Sequence, residues 1–250
     1  MIRLRKSAIT AFKRCPYYYL RMYHQCAYSF KPNVVMQVGD QFHHFAAQFF
    51  EILDFDGLKK LTTLNQVENY FYTLIPAQLP LIVKPLCKNF VEFEAKHWIA
   101  LHKQTRNPLC YFLPIATELE LETAQLVPGV INSGHIDRIN RMLIDKRCIA
   151  EYKTGNPDMH VLRWELTYYE LLAKACGIQC DYIAYYNPTN NDSFLEGVTL
   201  KLEQKVRRDI LEIVRAHEIK CFPKNPNIFC GDCEVLRECV DYLGGNENGR

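Results

Sequence analysis

The stretch from Gly134 to Gly155 restricts the fold more than any other part of the chain. Its apolar and polar residues alternate, break at a polar turn from Arg141 to Lys146, and alternate again, a pattern that predicts two short strands folded back on each other. Asp137 falls on the first strand and Glu151 on the second. Side chains alternate across a strand, so Glu151 and Lys153 share one face while Tyr152 points the other way. Two carboxylates brought together by a hairpin repel unless a divalent cation sits between them, and such an oxygen-rich site suits Mg²⁺ or Mn²⁺. The lysine adds positive charge beside it. The combination can bind a phosphodiester, lower the pKa of a bound water and stabilise charge building on the phosphorus oxygens. A surface hairpin with a solvated Glu/Lys pair is the competing reading of this stretch alone, so the remainder of the chain has to decide.

Gly-x-Ile-Asp-Arg-Ile followed by Glu-Tyr-Lys-Thr-Gly resembles the core of the PD-(D/E)XK nucleases in their RecB-type form, with Glu151 where Asp is the commoner spelling. The resemblance implies a restriction-endonuclease-like fold of the mixed α/β (α+β) class, in which helices flank a mixed central sheet. It also implies a catalytic set of Asp137, Glu151 and Lys153, with metal held by Asp137, Glu151, the Tyr152 carbonyl and a histidine.

That histidine lies in Val38 to Leu53, where Phe42, Phe45, Ala46, Phe49, Phe50 and Leu53 recur at helical spacing. At about 100° per residue, His43 falls at the edge of the apolar stripe and His44 on the opposite side. Gly39-x-x-x-His43 resembles the motif by which RecB-type nucleases add a metal-binding histidine. A later helix, Val161 to Cys176, directs Leu162, Leu166, Tyr169, Leu172, Ala173 and Cys176 inward, and Glu165 shares that face. A carboxylate on an apolar stripe is costly without a partner. Glu165-Leu-Thr-Tyr-Tyr169 resembles the family's Gln-x-x-x-Tyr motif with Glu in place of Gln, which adds Glu165 and Tyr169 to the catalytic candidates. The expected partner of Glu165 is a cation such as Lys153, or a proton of its own.

The chain of 250 residues, 48% hydrophobic and 23% charged, has the composition of an ordinary globular protein, expected to form one elaborated domain over residues 1–250. No apolar run reaches the length of a membrane span and the first residues lack the apolar block of a signal peptide, so no membrane association and a cytoplasmic location are expected. Residues 1–39 hold seven basic residues and no acidic one, while the remainder carries 23 basic against 28 acidic. That asymmetry predicts a local basic surface. A helix capped by Ser7, with Pro16 interrupting it or starting a second segment, carries Arg14, Tyr18 and Arg21, residue types that can track phosphates and stack unpaired bases. The competing reading makes about half of the tyrosines interleaved with them, Tyr17, Tyr18, Tyr19 and Tyr23, core. Residues 55–110 read as a helical insertion with a longer helix from Pro85. Strands are expected from Pro114 to Leu126, Cys180 to Asn187 and Phe194 to Leu200, followed by an amphipathic helix from Leu202 to Val214.

Eleven cysteines are many for a compartment that keeps thiols reduced, which favours metal ligation over disulfides for those that cluster. In the tail at residues 221–240, Cys230-x-x-Cys233 followed by Cys239 bends round one soft metal centre. From spacing alone Cys221 is the nearest fourth ligand, and tetrahedral zinc would serve equally well. The AddB-type and CRISPR-associated nucleases of the superfamily resemble this chain in having one cysteine near the N-terminus and three near the C-terminus around a [4Fe-4S] cluster. That resemblance implies Cys15, Cys230, Cys233 and Cys239 as ligands of a cluster joining the two ends of the chain.

The expected protein is therefore a Mg²⁺- or Mn²⁺-dependent deoxyribonuclease, an exonuclease acting on single-stranded DNA or DNA ends in recombination or repair, with a helicase or recombination protein as partner. A CRISPR spacer-acquisition nuclease and a sequence-specific endonuclease are the alternatives within the class. A non-catalytic zinc-ribbon adaptor is the rival outside it, and leaves Asp137, Glu151 and Lys153 unexplained.

Overall fold

A computed structural model describes residues 1–28 and 33–239. In chain order the elements are β1 (Ile2–Arg5), α1 (Lys6–Arg14), α2 (Pro16–Tyr19), a π-helical turn (Leu20–His24), α3 (Val34–Phe49), α4 (Phe55–Leu58), α5 (Leu64–Thr73), α6 (Lys84–Gln104), α7 (Pro108–Phe112), β2 (Pro114–Thr123), β3 (Val130–Arg141), β4 (Arg147–Tyr152), α8 (Met159–Ala175), β5 (Tyr182–Asn187), β6 (Asp192–Gly197) and α9 (Leu200–Glu218). Strands and helices form the expected mixed sheet flanked by helices. No helix among the described residues is long and apolar enough to cross a membrane. The chain divides into two compact units, residues 1–31, 123–133 and 204–250 in the first and 32–122 and 134–203 in the second.

In the first unit, β1 lies parallel to the start of β3, with Ile2 opposite Val130 and Arg5 opposite Ser133. The sequence pattern did not predict β1, because four residues carry too little periodicity and its partner lies more than 120 residues away. Helix α1 buries Ala8, Ile9, Ala11 and Phe12. Pro16 opens α2, where its fixed φ suits the first helical position, and leaves Cys15 extended between the two helices. Lys13 meets the buried Asp209 of α9 at 2.8 Å.

The second unit orders its strands β3-β4-β5-β6, with β2 also pairing with β3. Strands β3 and β4 are antiparallel, Arg138 opposite Ala150 and Arg141 opposite Arg147, as the hairpin pattern predicts. Strand β5 is parallel to β4 and antiparallel to β6. Helix α3 begins four residues earlier than its apolar spacing indicates, because the Asn33 side chain accepts the Met36 N–H and caps the first turn. The helical insertion holds its expected long helix as α6, which follows Val83 and carries Pro85 in its first turn. Phe42, Phe45, Phe49, Phe50, Phe71, Phe90, Trp98, Phe112 and Tyr152 build one aromatic core from α3, α5, α6, α7 and β4. Phe49 meets Phe71 and Phe90 edge-on at 4.9 and 5.3 Å between centroids, which suits the ring quadrupoles.

A fully buried ion pair sits in this core. Arg138 of β3 reaches Glu94 of α6 at 2.6 Å and the Tyr152 hydroxyl at 3.1 Å, and its guanidinium lies 4.2 Å from the centre of the Phe50 ring. His97 approaches the other Glu94 oxygen at 3.4 Å. Burial raises the Glu94 carboxyl, but Arg138 and His97 outweigh it and the pKa lies below the ordinary value. Removing one member of such a pair strands the other charge. We expect Glu94→Ala to destabilise the protein by about 3–5 kcal/mol, whereas Glu94→Leu with Arg138→Met costs under about 2 kcal/mol. Because the folded pKa is depressed, this stability is present above the unfolded pKa, about 4.3, and is lost as pH falls through the folded value. Urea unfolding from pH 7 to 3 should show a steeper acid loss in wild type than in the double variant, and parallel losses would count against the role of the pair.

Candidate active site

The site is built on the β3–β4 hairpin of the second unit. The strand register, carried one step past Arg138 and Ala150, puts Asp137 across from Glu151. Both are buried, at 7% and 4% exposure. Tyr152 turns its ring to the opposite side, where it meets Phe42 and Phe90 edge-on, while its backbone N–H donates to the Asp137 carboxylate at 2.8 Å. The alternation that sends Tyr152 into the core therefore aims Glu151 at Asp137.

Lys153 follows directly. Its ammonium lies 2.7 Å from Glu151 Oε1 and 3.1 Å from Glu165 Oε2 on α8, so the carboxylate on the apolar helix face has the cation expected of it. The loop beyond is held by Asn187, which donates to the Gly155 carbonyl, and by Thr189, which donates to that of Thr154. Tyr169 lies deeper on α8. Burial, and then the carboxylates of Glu151 and Asp137, push its phenol far above the ordinary range. A Cβ on Gly134 would sit 2.8 Å from the Tyr169 ring and 2.9 Å from Leu172, so glycine is what lets α8 lie this close to β3.

His43 enters from α3, with Nδ1 at 3.4 Å from Asp137 Oδ2, while His44 is exposed. Burial acts to lower the His43 pKa, but Asp137, Glu151 and Glu118 outweigh it and raise it above the ordinary value. One nitrogen of His43, one oxygen of Asp137 and one oxygen of Glu118 lie within 4.8 Å of one another. An imidazole and carboxylates at this separation make a donor set that fits Mg²⁺ or Mn²⁺.

Glu118, on β2, is the residue that sequence reasoning missed. The reading of β2 followed Ile115, Thr117, Leu119 and Leu121, which leaves Glu118 on the polar face with Glu120 and Glu122. The backbone of Glu118 adopts φ +49°, which interrupts that alternation, and no residue type in the segment signals it. Its carboxylate meets His135 Nδ1 at 3.2 Å. Burial, and then Asp137, raise its carboxyl pKa.

Cys15 and the three clustered cysteines of the tail lie in the first unit. Cys15, Cys230, Cys233 and Cys239 all line one cavity of about 180 Å³, together with Tyr17, Tyr18 and Lys224, whereas Cys221 is exposed and does not line it. The distant segments are laced by polar contacts. Asn225 and Asn227 each donate to the Arg14 carbonyl at 3.0 Å, Arg14 donates to that of Phe229, and Lys224 donates to that of Cys239. Arg21 makes a two-pronged contact with Glu238, 2.7 Å on each arm. Tyr18 is buried at 8% exposure beneath the Arg14 guanidinium, so its ring packs inside the unit. Its neighbour Tyr23, at 39%, is the more open ring in this segment.

No curated protein matches the chain. The crystal structure of SSO0001 aligns over 82% of this chain and 96% of that one at 15% identity with a TM-score of 0.37. The match to the PD-(D/E)XK nuclease superfamily runs over residues 4–240 and takes in the hairpin, α3, α8 and the cysteine segments. The chain therefore belongs to the PD-(D/E)XK nuclease superfamily, whose members cut nucleic acid with divalent metal ions.

Proposed function

We propose that the protein is a Mg²⁺- or Mn²⁺-dependent deoxyribonuclease, an exonuclease acting on single strands or DNA ends. The observation that carries this reading is the convergence of His43, Glu118 and Asp137 to within 4.8 Å, beside a Lys153 ammonium shared by Glu151 and Glu165. His43, Asp137 and Glu151 hold the cation in this reading, with the Tyr152 carbonyl as a further ligand. When bound, the cation polarises the phosphoryl oxygen and acidifies water. Lys153 steadies the charge that builds on the phosphate, and Glu165 holds its ammonium in place. Tyr169 walls the site on the α8 side. The preference for strands and ends rests on the likeness of Glu-Tyr-Lys-Thr-Gly to RecB-type nucleases.

A [4Fe-4S] cluster on Cys15, Cys230, Cys233 and Cys239 completes the proposal. The shared cavity supports it. Arg14 and Arg21 are proposed to add basic surface for DNA near the cavity.

Asp137→Ala, Glu151→Ala and Lys153→Ala are each expected to reduce cleavage by about 10²–10³-fold or more with the fold retained. Digestion of end-labelled linear and circular single-stranded DNA with added Mn²⁺ checks this, circular DNA being resistant if ends are needed. Persistent cleavage in all three variants would sink the nuclease assignment.

Glu165→Gln keeps an oxygen for Lys153 and should retain activity within about tenfold, a loss of about 1.4 kcal/mol or less, while Glu165→Ala loses more. Equal inactivity of the two would make the carboxylate itself essential.

Anaerobically purified protein should be brown, and bleached by Cys15→Ala as fully as by Cys233→Ala but not by Cys221→Ala. A colourless zinc protein would reverse the cofactor proposal.

A further inference from the structure

The face of the sheet turned away from Glu151 is patterned in three rows. The strand register sets Tyr152 beside Tyr186 and Ser193, Ala150 beside Ala184 and Leu195, and Cys148 beside Tyr182. Residues directly opposite one another share a face, so a strip of alanines runs between two rows that each carry tyrosine. Tyr182 and Tyr186 stand about 13 Å apart along β5, at about 3.3 Å per residue, with Ala184 between them. Helix α6 crosses this face, anchored by the Glu94–Arg138 pair. A cavity of about 890 Å³ remains beside it, lined by Lys96 and His97 of α6 and by Ala150, Tyr182, Ala184 and Leu195 of the sheet. At one end Phe93 stacks on Tyr186 with 4.2 Å between centroids, and Met142 and Leu143 bound the other. Small floor residues between aromatic walls make a slot for a flat apolar body, and the volume falls in the range of small-molecule sites.

Charge selects the other end of the ligand. Glu94 is the one carboxylate among the described lining residues, and Arg138 and His97 hold it. Lys146 is taken by Asp181 at 2.6 Å. Lys96 and Arg141 also line the cavity and are exposed, and among the described residues neither forms an ion pair. Arg141 donates to the Cys110 sulfur at 3.0 Å, a weak acceptor that leaves its charge uncompensated. We infer that this cavity is a binding site for a small aromatic anion, its flat ring lying over Ala150 and Ala184 and its carboxylate or phosphate held by Lys96 and Arg141. Both cations suit such a group, the arginine through a planar fork of donors. The site is separate from the metal-binding face, because Ala150 and Tyr152 turn towards it while Glu151 between them turns away. A docked protein segment is the competing occupant, and the bounded ends of the slot favour a compact molecule.

Anilinonaphthalene sulfonate, a fluorescent aromatic anion, and phenylnaphthylamine, its uncharged counterpart, serve as probes of the full-length protein. Wild type should bind each with one-to-one stoichiometry. Lys96→Ala combined with Arg141→Ala alters two exposed side chains and retains the fold. It should weaken the sulfonate by about tenfold or more while leaving the neutral dye within about threefold of wild type. Ala184→Leu fills the slot, and should weaken both dyes by about tenfold or more with the melting temperature no lower. Should Ala184→Leu unfold, the charge variant decides by itself. Sulfonate affinity unchanged in the charge variant overturns the inference, as does a folded Ala184→Leu that binds both dyes as wild type does. Wild type that takes neither dye returns the face to a protein segment and overturns it too.

Discussion

Like charges in a half-dry space are the constraint on which the second unit turns. Glu118, Asp137, Glu151 and Glu165 all act on the same small region, where Lys153 and the imidazoles of His43 and His135 face them. Burial and the Asp137 charge make Glu118 hold its proton more tightly, and the carboxylates around His43 outweigh its burial so that it attracts one. Lys153 spans two of the four carboxylates. A divalent cation is the simplest way to relieve the others, and the superfamily's use of such ions agrees with the donor set that converges on Asp137.

Holding those charges together requires a rigid back wall, and β3 and β4 supply it by alternation. Asp137 and Arg138 are neighbours in sequence but face opposite ways, as do Glu151 and Tyr152. One member of each pair faces the site, and the other locks into the aromatic core through Glu94, Phe50, Phe42 and Phe90. A register slip of one residue would exchange Asp137 for Arg138 at the site and bury a carboxylate among phenyl rings. The buried Arg138–Glu94 pair opposes that slip, since neither charge has another partner of comparable quality in an apolar surround.

The first unit solves a different problem, that of joining segments separated by over 200 residues. Carbonyls of residues around Cys15 and Cys239 accept from Asn225, Asn227 and Lys224, and Arg14 and Arg21 close contacts with Phe229 and Glu238. In the proposed reading a cluster staples this lattice, and a link that closes so long a loop restricts the unfolded chain strongly. The same contacts alter how the basic N-terminal segment is understood. Arginines that read in the sequence as open cations each have a partner within the unit.

Local pattern was enough to reveal the hairpin, the inward stripe of α3, the face shared by Glu165 and Tyr169, and the order in which the cysteines occur. Each of these depends on neighbours within a few turns or along one strand, where the helical and strand periods determine which side chains share a face. Glu118, β1 and the partners of Arg14 and Arg21 were not legible in this way. A single left-handed residue changes the direction of one side chain without changing composition, and a four-residue strand is defined by a partner far along the chain. The sequence by itself determined which carboxylates, lysine and histidine were available and which strand or helix face each would occupy. Only the tertiary structure decided which of them converge, because that depends on the register of distant strands and on close approaches such as α8 against Gly134, neither of which any local period encodes.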